Sequence, residues 1–182
     1  MTITVRRSGP ADRPAILSLL DAARGDELSA AQRAERGFVQ GTLDEQLLAR
    51  FQADLGVFVA EDGGVLAGFA MTTEPDVVTG GPPVPTVATA RQNLAASTRF
   101  FPYGPAAVDR RFQGRGVLTM LLAGLSRELS GRFDRGVAFV QAANEKSLAV
   151  HRHYGMSEIG RFDHRGSDYR VFAFDPAKFA TR

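Results

Sequence analysis

The chain has 182 residues, 44% hydrophobic and 23% charged, with a formal net charge of +2, as expected of one globular domain rather than a disordered chain. Without cysteine it can have no disulfide, thiolate metal site or cysteine nucleophile, and a cytoplasmic location is expected. No apolar run approaches the ~18 residues of a membrane span, no block of like charge points to a nucleic-acid partner, and three histidines (His151, His153, His164) are too few for a histidine-rich metal site.

The first residues lack the apolar stretch of a secretory signal. Ile3 to Arg6 reads as a short strand that turns at Ser8-Gly9-Pro10 into a helix, with Ile16, Leu17, Leu19 and Leu20 as its core face. One or two further helices are expected over 26–52, where Leu43, Leu47, Leu48 and Phe51 keep helical spacing. Two β-rich runs, 56–61 and 65–73, meet at Asp62-Gly63-Gly64, a hairpin signal. Residues 74–102 open with a stretch rich in Pro and Gly and read as an irregular insertion, with a helix conceivable near its end; a connection this long is either a lid or binding loop or a mobile segment without a role.

From 103 the pattern sharpens. A strand ends near Val108, a helix spans roughly 115–131, and an apolar strand without clean alternation covers 135–142, as for a strand buried on both faces. A short helix follows, closed by Gly155, and strands at 157–164 and 168–174 turn at Arg165-Gly166-Ser167. The order predicts one α/β domain, 1–182, on a mixed sheet.

The stretch Arg110-Arg111-Phe112-Gln113-Gly114-Arg115-Gly116 joins a strand to the next helix. A helix N-terminus leaves about four N–H groups unpartnered and favours negative charge, and glycines let a phosphate approach the backbone. Arginines beside them add fixed positive charge. The segment therefore reads as an anion cradle or as a plain turn. It is neither a Walker A loop, lacking Gly-Lys-Ser/Thr, nor a dinucleotide fingerprint, lacking the third glycine and the acid after the next strand.

The sequence AAVDRRFQGRGVLTMLL resembles the cofactor-binding motif of the GNAT superfamily of acyl-CoA-dependent N-acetyltransferases, a Gln/Arg-x-x-Gly-x-Gly/Ala segment opening a helix with a Leu-Leu pair. Gln113, Gly116 and Leu118 fill it in one register, Arg111, Gly114 and Gly116 in another. A second family element is matched by Asn144, Ser147, His151, Gly155 and Met156, with His151 where tyrosine is usual, as in the phosphinothricin-type branch. The resemblance implies a mixed, mostly antiparallel sheet whose two central parallel strands splay apart, flanked by helices. It implies acetyl-CoA as co-substrate, no metal, and a primary amine of a small molecule or peptide as acceptor; homodimers are common in the family. Ala107, Val108, Gln113, Gly114, Arg115, Gly116, Val117, Leu118 and Thr119 would hold the cofactor, with an amide near Val108 polarising the thioester carbonyl. Asn144 and Ser147 would either contact pantetheine or cap the helix. His151 would act as acid toward the thiolate or only pack. Glu74, where a strand leaves the sheet, and Asp109 are candidates for the base, each otherwise a solvated carboxylate, and some family members use a water chain instead. Phe38, Phe100, Phe101 and Tyr103 are candidate acceptor-pocket aromatics or core residues. The contrasting reading is a GNAT-like acyl-CoA-binding regulatory or interaction module without turnover.

Overall fold

The computed structural model describes residues 2–181. Its seven strands are β1 (Ile3–Arg7), β2 (Gly56–Asp62), β3 (Val65–Thr72), β4 (Phe100–Val108), β5 (Arg135–Gln141), β6 (Ser157–His164) and β7 (Ser167–Phe174). They form one sheet in the order β1-β2-β3-β4-β5-β7-β6. Every neighbouring pair is antiparallel except β4 and β5. The helices are α1 (Arg13–Ala23), α2 (Ala30–Arg36), α3 (Glu45–Ala53), α4 (Pro83–Asn93), α5 (Val117–Leu129), α6 (Glu145–His153) and α7 (Pro176–Ala180).

Alternation along the strands sorts the helices onto two faces. Phe58 and Ala60 of β2 pack with Leu121, Leu122 and Leu125 of α5 and with Phe179 of α7. Val57 and Val59 point the other way, against Ile16 and Leu20 of α1 and Leu48 of α3. On that second face α4 covers the other half of the sheet, with Val87 and Ala90 against Val137, Val171 and Ala173. Phe101 lies at the centre of the α5 face, 0% exposed, in edge contact with Phe133 and Phe174.

The parallel pair is short. Phe100, Phe101 and Pro102 pair with Arg135, Gly136 and Val137. Beyond that β4 stays on β3 as far as Val108 and β5 stays on β7 as far as Gln141. The strands therefore part like the arms of a V, closed at Phe100 and open at Val108.

The stretch 74–102, read as an irregular insertion with a helix near its end, contains an ordered, sheet-packed helix, α4, and β4 begins at Phe100 rather than 103. Proline disguised α4: Pro83 and Pro85 fall in its first turn, where no intrahelical N–H bond is lost. The terminal α7 was not foreseen, although Asp175 caps it by accepting from the Ala177 N–H and Pro176 stands in its first turn. The 26–52 region holds two helices, and Leu47 is exposed while Leu48 is buried.

Candidate active site

A cleft of about 1030 Å³ occupies the opening of the V. Its β4 wall is Tyr103 to Val108, continued by Asp109, its β5 wall Ala138 to Gln141, and its far walls come from the head of α5 and from α6. Of the predicted residues, Ala107, Val108, Gln113, Gly114, Gly116, Val117, Leu118, Asn144, Ser147 and His151 line it. Arg115 and Thr119 are not among the lining residues. The guanidinium of Arg115 sits 5.6 Å from the Phe112 ring centre, and the Thr119 hydroxyl is 2.8 Å from the Tyr154 hydroxyl, joining α5 to α6.

The head of α5 is built from backbone. Gly116 is the N-cap, at φ +75°, and no side chain caps this end. Gly114 has φ +76°. A Cβ at either glycine would meet nothing within 4 Å, so glycine is required by the left-handed backbone and not by crowding. The Gln113 and Arg115 amides donate to the Arg110 and Phe112 carbonyls at 3.4 and 3.3 Å. The amides of Val117, Leu118 and Thr119 are the first of the helix and have no intrahelical acceptor. The cradle is thus narrower than the span from Gln113 to Thr119, and its charge-favouring part is the first turn.

Along β4 the Asp109 amide donates to the Ala67 carbonyl at 2.9 Å. Amides alternate sides along a strand, so those of Val108 and Ala106 face away from β3, toward the cleft. Asp109 is held by Arg111, which meets both its oxygens at 3.0 and 2.9 Å. That ion pair, with the Arg111 amide, keeps the carboxylate below its ordinary pKa, which makes it a weak base.

Asn144 is 4% exposed. Its Oδ1 accepts from the Ser147 amide at 3.2 Å, capping α6, and its Nδ2 donates to the Phe38 carbonyl at 2.8 Å. Both ends of the side chain are engaged, so it is a cap and a tether. The tether was not visible in the sequence, because its two ends lie 106 residues apart.

His151 Nδ1 lies 2.7 Å from the Ser147 carbonyl oxygen and 3.4 Å from its hydroxyl, and its ring packs on Phe172. A carbonyl only accepts, so a hydrogen on Nδ1 makes the short bond and Nε2 keeps its lone pair. Burial lowers the His151 pKa below 6.5, opposed by the Ser147 carbonyl. The neutral ring therefore offers an acceptor, whereas the sequence reading is an acid or a packing residue.

Glu74 lies outside the cleft. It lines a separate pocket with Arg99, Phe100 and Arg132 and accepts from Arg132 at 3.0 Å. Because β3 runs antiparallel to β4, its end lies beside Pro102, at the closed end of the V. Phe101 is core and Phe100 borders that second pocket, whereas Phe38 and Tyr103 do line the cleft. Among the described residues no group of three or more His, Asp or Glu is placed to hold a metal ion, and no helix is long and apolar enough to cross a membrane.

Two parallel strands part beside an uncapped, glycine-headed helix N-terminus, where the first-turn amides favour negative charge. The acetyltransferase (GNAT) family matches residues 25–156, and the chain belongs to that family. Solved structures with the same fold include Ard1 from Thermoplasma volcanium (13% identity, 96% of this chain and 98% of that one, TM-score 0.68). The yncA protein of Salmonella typhimurium, solved with its cofactor acetyl-CoA, is 19% identical over 97% of this chain and 95% of that one, with a TM-score of 0.65. The ribosomal-protein-S18-alanine N-acetyltransferase of Escherichia coli is 19% identical over 96% and 94%, with a TM-score of 0.64. No curated protein matches the sequence. Family membership supports acyl transfer from acetyl-CoA as the general activity.

Proposed function

We propose that the chain, 1–182, is a single-domain cytoplasmic N-acetyltransferase that moves the acetyl group of acetyl-CoA to a primary amine by direct attack, without a covalent enzyme intermediate. The observation that carries this is the opening between β4 and β5 directly beside the uncapped first turn of α5.

The residues fit the co-substrate. Gly114, Gly116 and the amides of Val117 to Thr119 suit a diphosphate. The cleft-facing amides of Ala106 and Val108 suit an extended amide-bearing arm, and one of them serves the carbonyl oxygen that gains charge as the C–N bond forms, a contact of a kind worth ~10²–10³ in rate. Acetyl-CoA supplies the activated thioester. The protein's largest service is to hold two reactants in line.

His151 enters as a proton acceptor. The nitrogen that attacks must lose a proton and the departing sulfur must gain one. With its N–H committed to Ser147, His151 takes the first at Nε2 and, then charged, returns it to the sulfur. A phenol at this position would donate first, so the histidine reverses the order and not the outcome.

The test is calorimetric titration with acetyl-CoA, followed by thiol release across an amine panel. Tight binding with turnover is expected. Binding without turnover on any amine would favour a non-catalytic acyl-CoA-binding module, and no binding would remove the reading. Long-range ¹H–¹⁵N correlation on histidine-labelled protein reads the tautomer separately. Nε2 is expected bare at pH 7.5, and a proton there would overturn the acceptor role.

A further inference from the structure

The cleft passes through the sheet. Its first half lies on the α5 face, but Leu19, Ala22 and Ala23 of α1, together with Leu28, Phe38 and Val39, line its other end, on the face that α1 and α3 cover. Ala138 and Val140 of β5 belong to the α5 side, so alternation puts Phe139 between them on the opposite face, where its ring meets Tyr169 at 5.9 Å. Polar side chains at this end are Gln40 and Gln141, bonded to each other at 2.7 Å, Asn144, whose two ends are engaged by Ser147 and Phe38, Lys146 beside Gly37, and Glu35 at the exposed rim.

Phe38 is fixed in this wall from several sides. Its ring lies against Gly25, where a Cβ would come within 2.8 Å of Phe38 Cδ2. Its carbonyl accepts from Asn144. The next residue, Val39, donates to Ala23 at 2.8 Å and accepts from Gly25 at 3.1 Å, and Gln40 is tied to β5. The segment carrying the ring is tied to the end of α1, to the α6 cap Asn144 and to β5, and the ring rests on Gly25, so little ordering is needed when something packs on it.

We infer that the acceptor is a primary amine carried on an apolar, ring-sized or aliphatic body, seated in this Phe38–Phe139 end of the cleft. The inference rests on the acetyl-transfer reading and adds its substrate class. A polyamine, a free amino acid or an amino sugar would bring charges or hydroxyls against Leu19, Ala22, Ala23, Leu28 and Val39, where they find few partners. An apolar body loses nothing there and gains burial. The same surroundings disfavour an ammonium and push the amine toward its neutral, nucleophilic form. That bias matters in a cleft where Asp109 is engaged by Arg111 and Glu74 stands elsewhere.

The experiment pairs binding with turnover. Saturation-transfer NMR on the CoA-loaded protein, and thiol release from acetyl-CoA, are measured with 2-phenylethylamine and hexylamine against spermidine, lysine and kanamycin. The two apolar amines should show contact and exceed the polar ones in kcat/KM by at least about tenfold, the scale on which apolar pockets discriminate. Phe38→Ala should erase most of that preference through KM while the acetyl-CoA thermal shift is unchanged, and Phe38→Leu should recover part of it. Preference for a polar amine, an unchanged ranking in Phe38→Ala, or no contact by either apolar amine would overturn the inference. If acetyl-CoA neither binds nor releases thiol with any amine, the transfer reading fails; NMR contact on the free protein then still reads the apolar site.

Discussion

The two ends of the cleft are made of different material. The donor end is backbone: left-handed glycines, the first amides of α5 and the free amides of a strand edge. The acceptor end is side chain: α1 residues and a loop at 37–40 held by Asn144, Gln141 and the end of α1. Backbone groups are nearly independent of residue type, so the donor end suits a ligand that never changes. Side chains are free to vary while the fold stays, so the acceptor end is where one family serves many amines. Substitutions should therefore separate by end.

The largest effect comes from the element both ends depend on. Leu121 is fully buried between α5 and the sheet. Leu121→Ala should destabilise the protein by about 2–5 kcal/mol, from lost burial and the cavity left behind, read as a lower urea midpoint. Acetyl-CoA should recover part of that loss in proportion to its binding. Next is the donor end alone. Gly116→Val forces a β-branched residue to φ +75°, a strain of about 1–3 kcal/mol, and should weaken acetyl-CoA binding by calorimetry while leaving amine ranking intact. Equal affinity in that variant would break the claim that this backbone conformation is the cradle.

These two ends were unequally legible in the sequence. The donor motif is local, spanning Gln113 to Leu122, so spacing alone exposed it, as Gly63-Gly64 exposed the hairpin. The acceptor wall depends on pairs 101 and 106 residues apart, and no local pattern marks such pairs. Glu74 lies away from the cleft for a topological reason: a residue just past the end of β3 looks close to the site in sequence, yet antiparallel pairing carries it to the closed end of the V. His151 was found by its place in the motif. Which ring nitrogen is left to accept was not readable, because the Ser147 carbonyl decides which nitrogen holds the hydrogen.

Asn144 lets the tether be cut without the cap. Asn144→Asp keeps an oxygen for the Ser147 amide but loses the donor to Phe38. Capping by Asp is as good as by Asn, so α6 should survive; one buried hydrogen bond is lost, and the oxygen now faces a carbonyl, a penalty of about 1–3 kcal/mol. Acceptor KM should rise more than acetyl-CoA affinity falls. An equal loss on both sides would mean that the tether serves the whole cleft.

A smaller effect belongs to His151 and to pH. Its pKa is lowered in the folded protein by burial, so below pH 6.5 the unfolded chain takes up a proton more readily than the folded one. Stability should fall as pH drops through the window from 6.5 toward the lowered folded value, and be fully present above it. Urea unfolding at pH 7.5, 6.5 and 5.5 should show this slope in the wild type and lose it in His151→Gln. The depressed carboxylates Asp12, Asp109 and Asp134 have the same sign but act only below their ordinary range near pH 3.8, so they do not contaminate the window.

The smallest expected effect tests the geometry of the V itself. Glu74→Gln removes one exposed ion pair with Arg132, and exposed pairs contribute ~0–1 kcal/mol. If proton transfer takes place at the open end, kcat, KM and the pH profile of this variant should match the wild type within error. A carboxylate that served as base would show a large kcat loss and a vanished limb in the profile. Such a result would relocate chemistry to the closed end, where β4 and β5 are still paired and Glu74 lines a separate pocket, so it would overturn the placement of the reaction and not only the choice of residue.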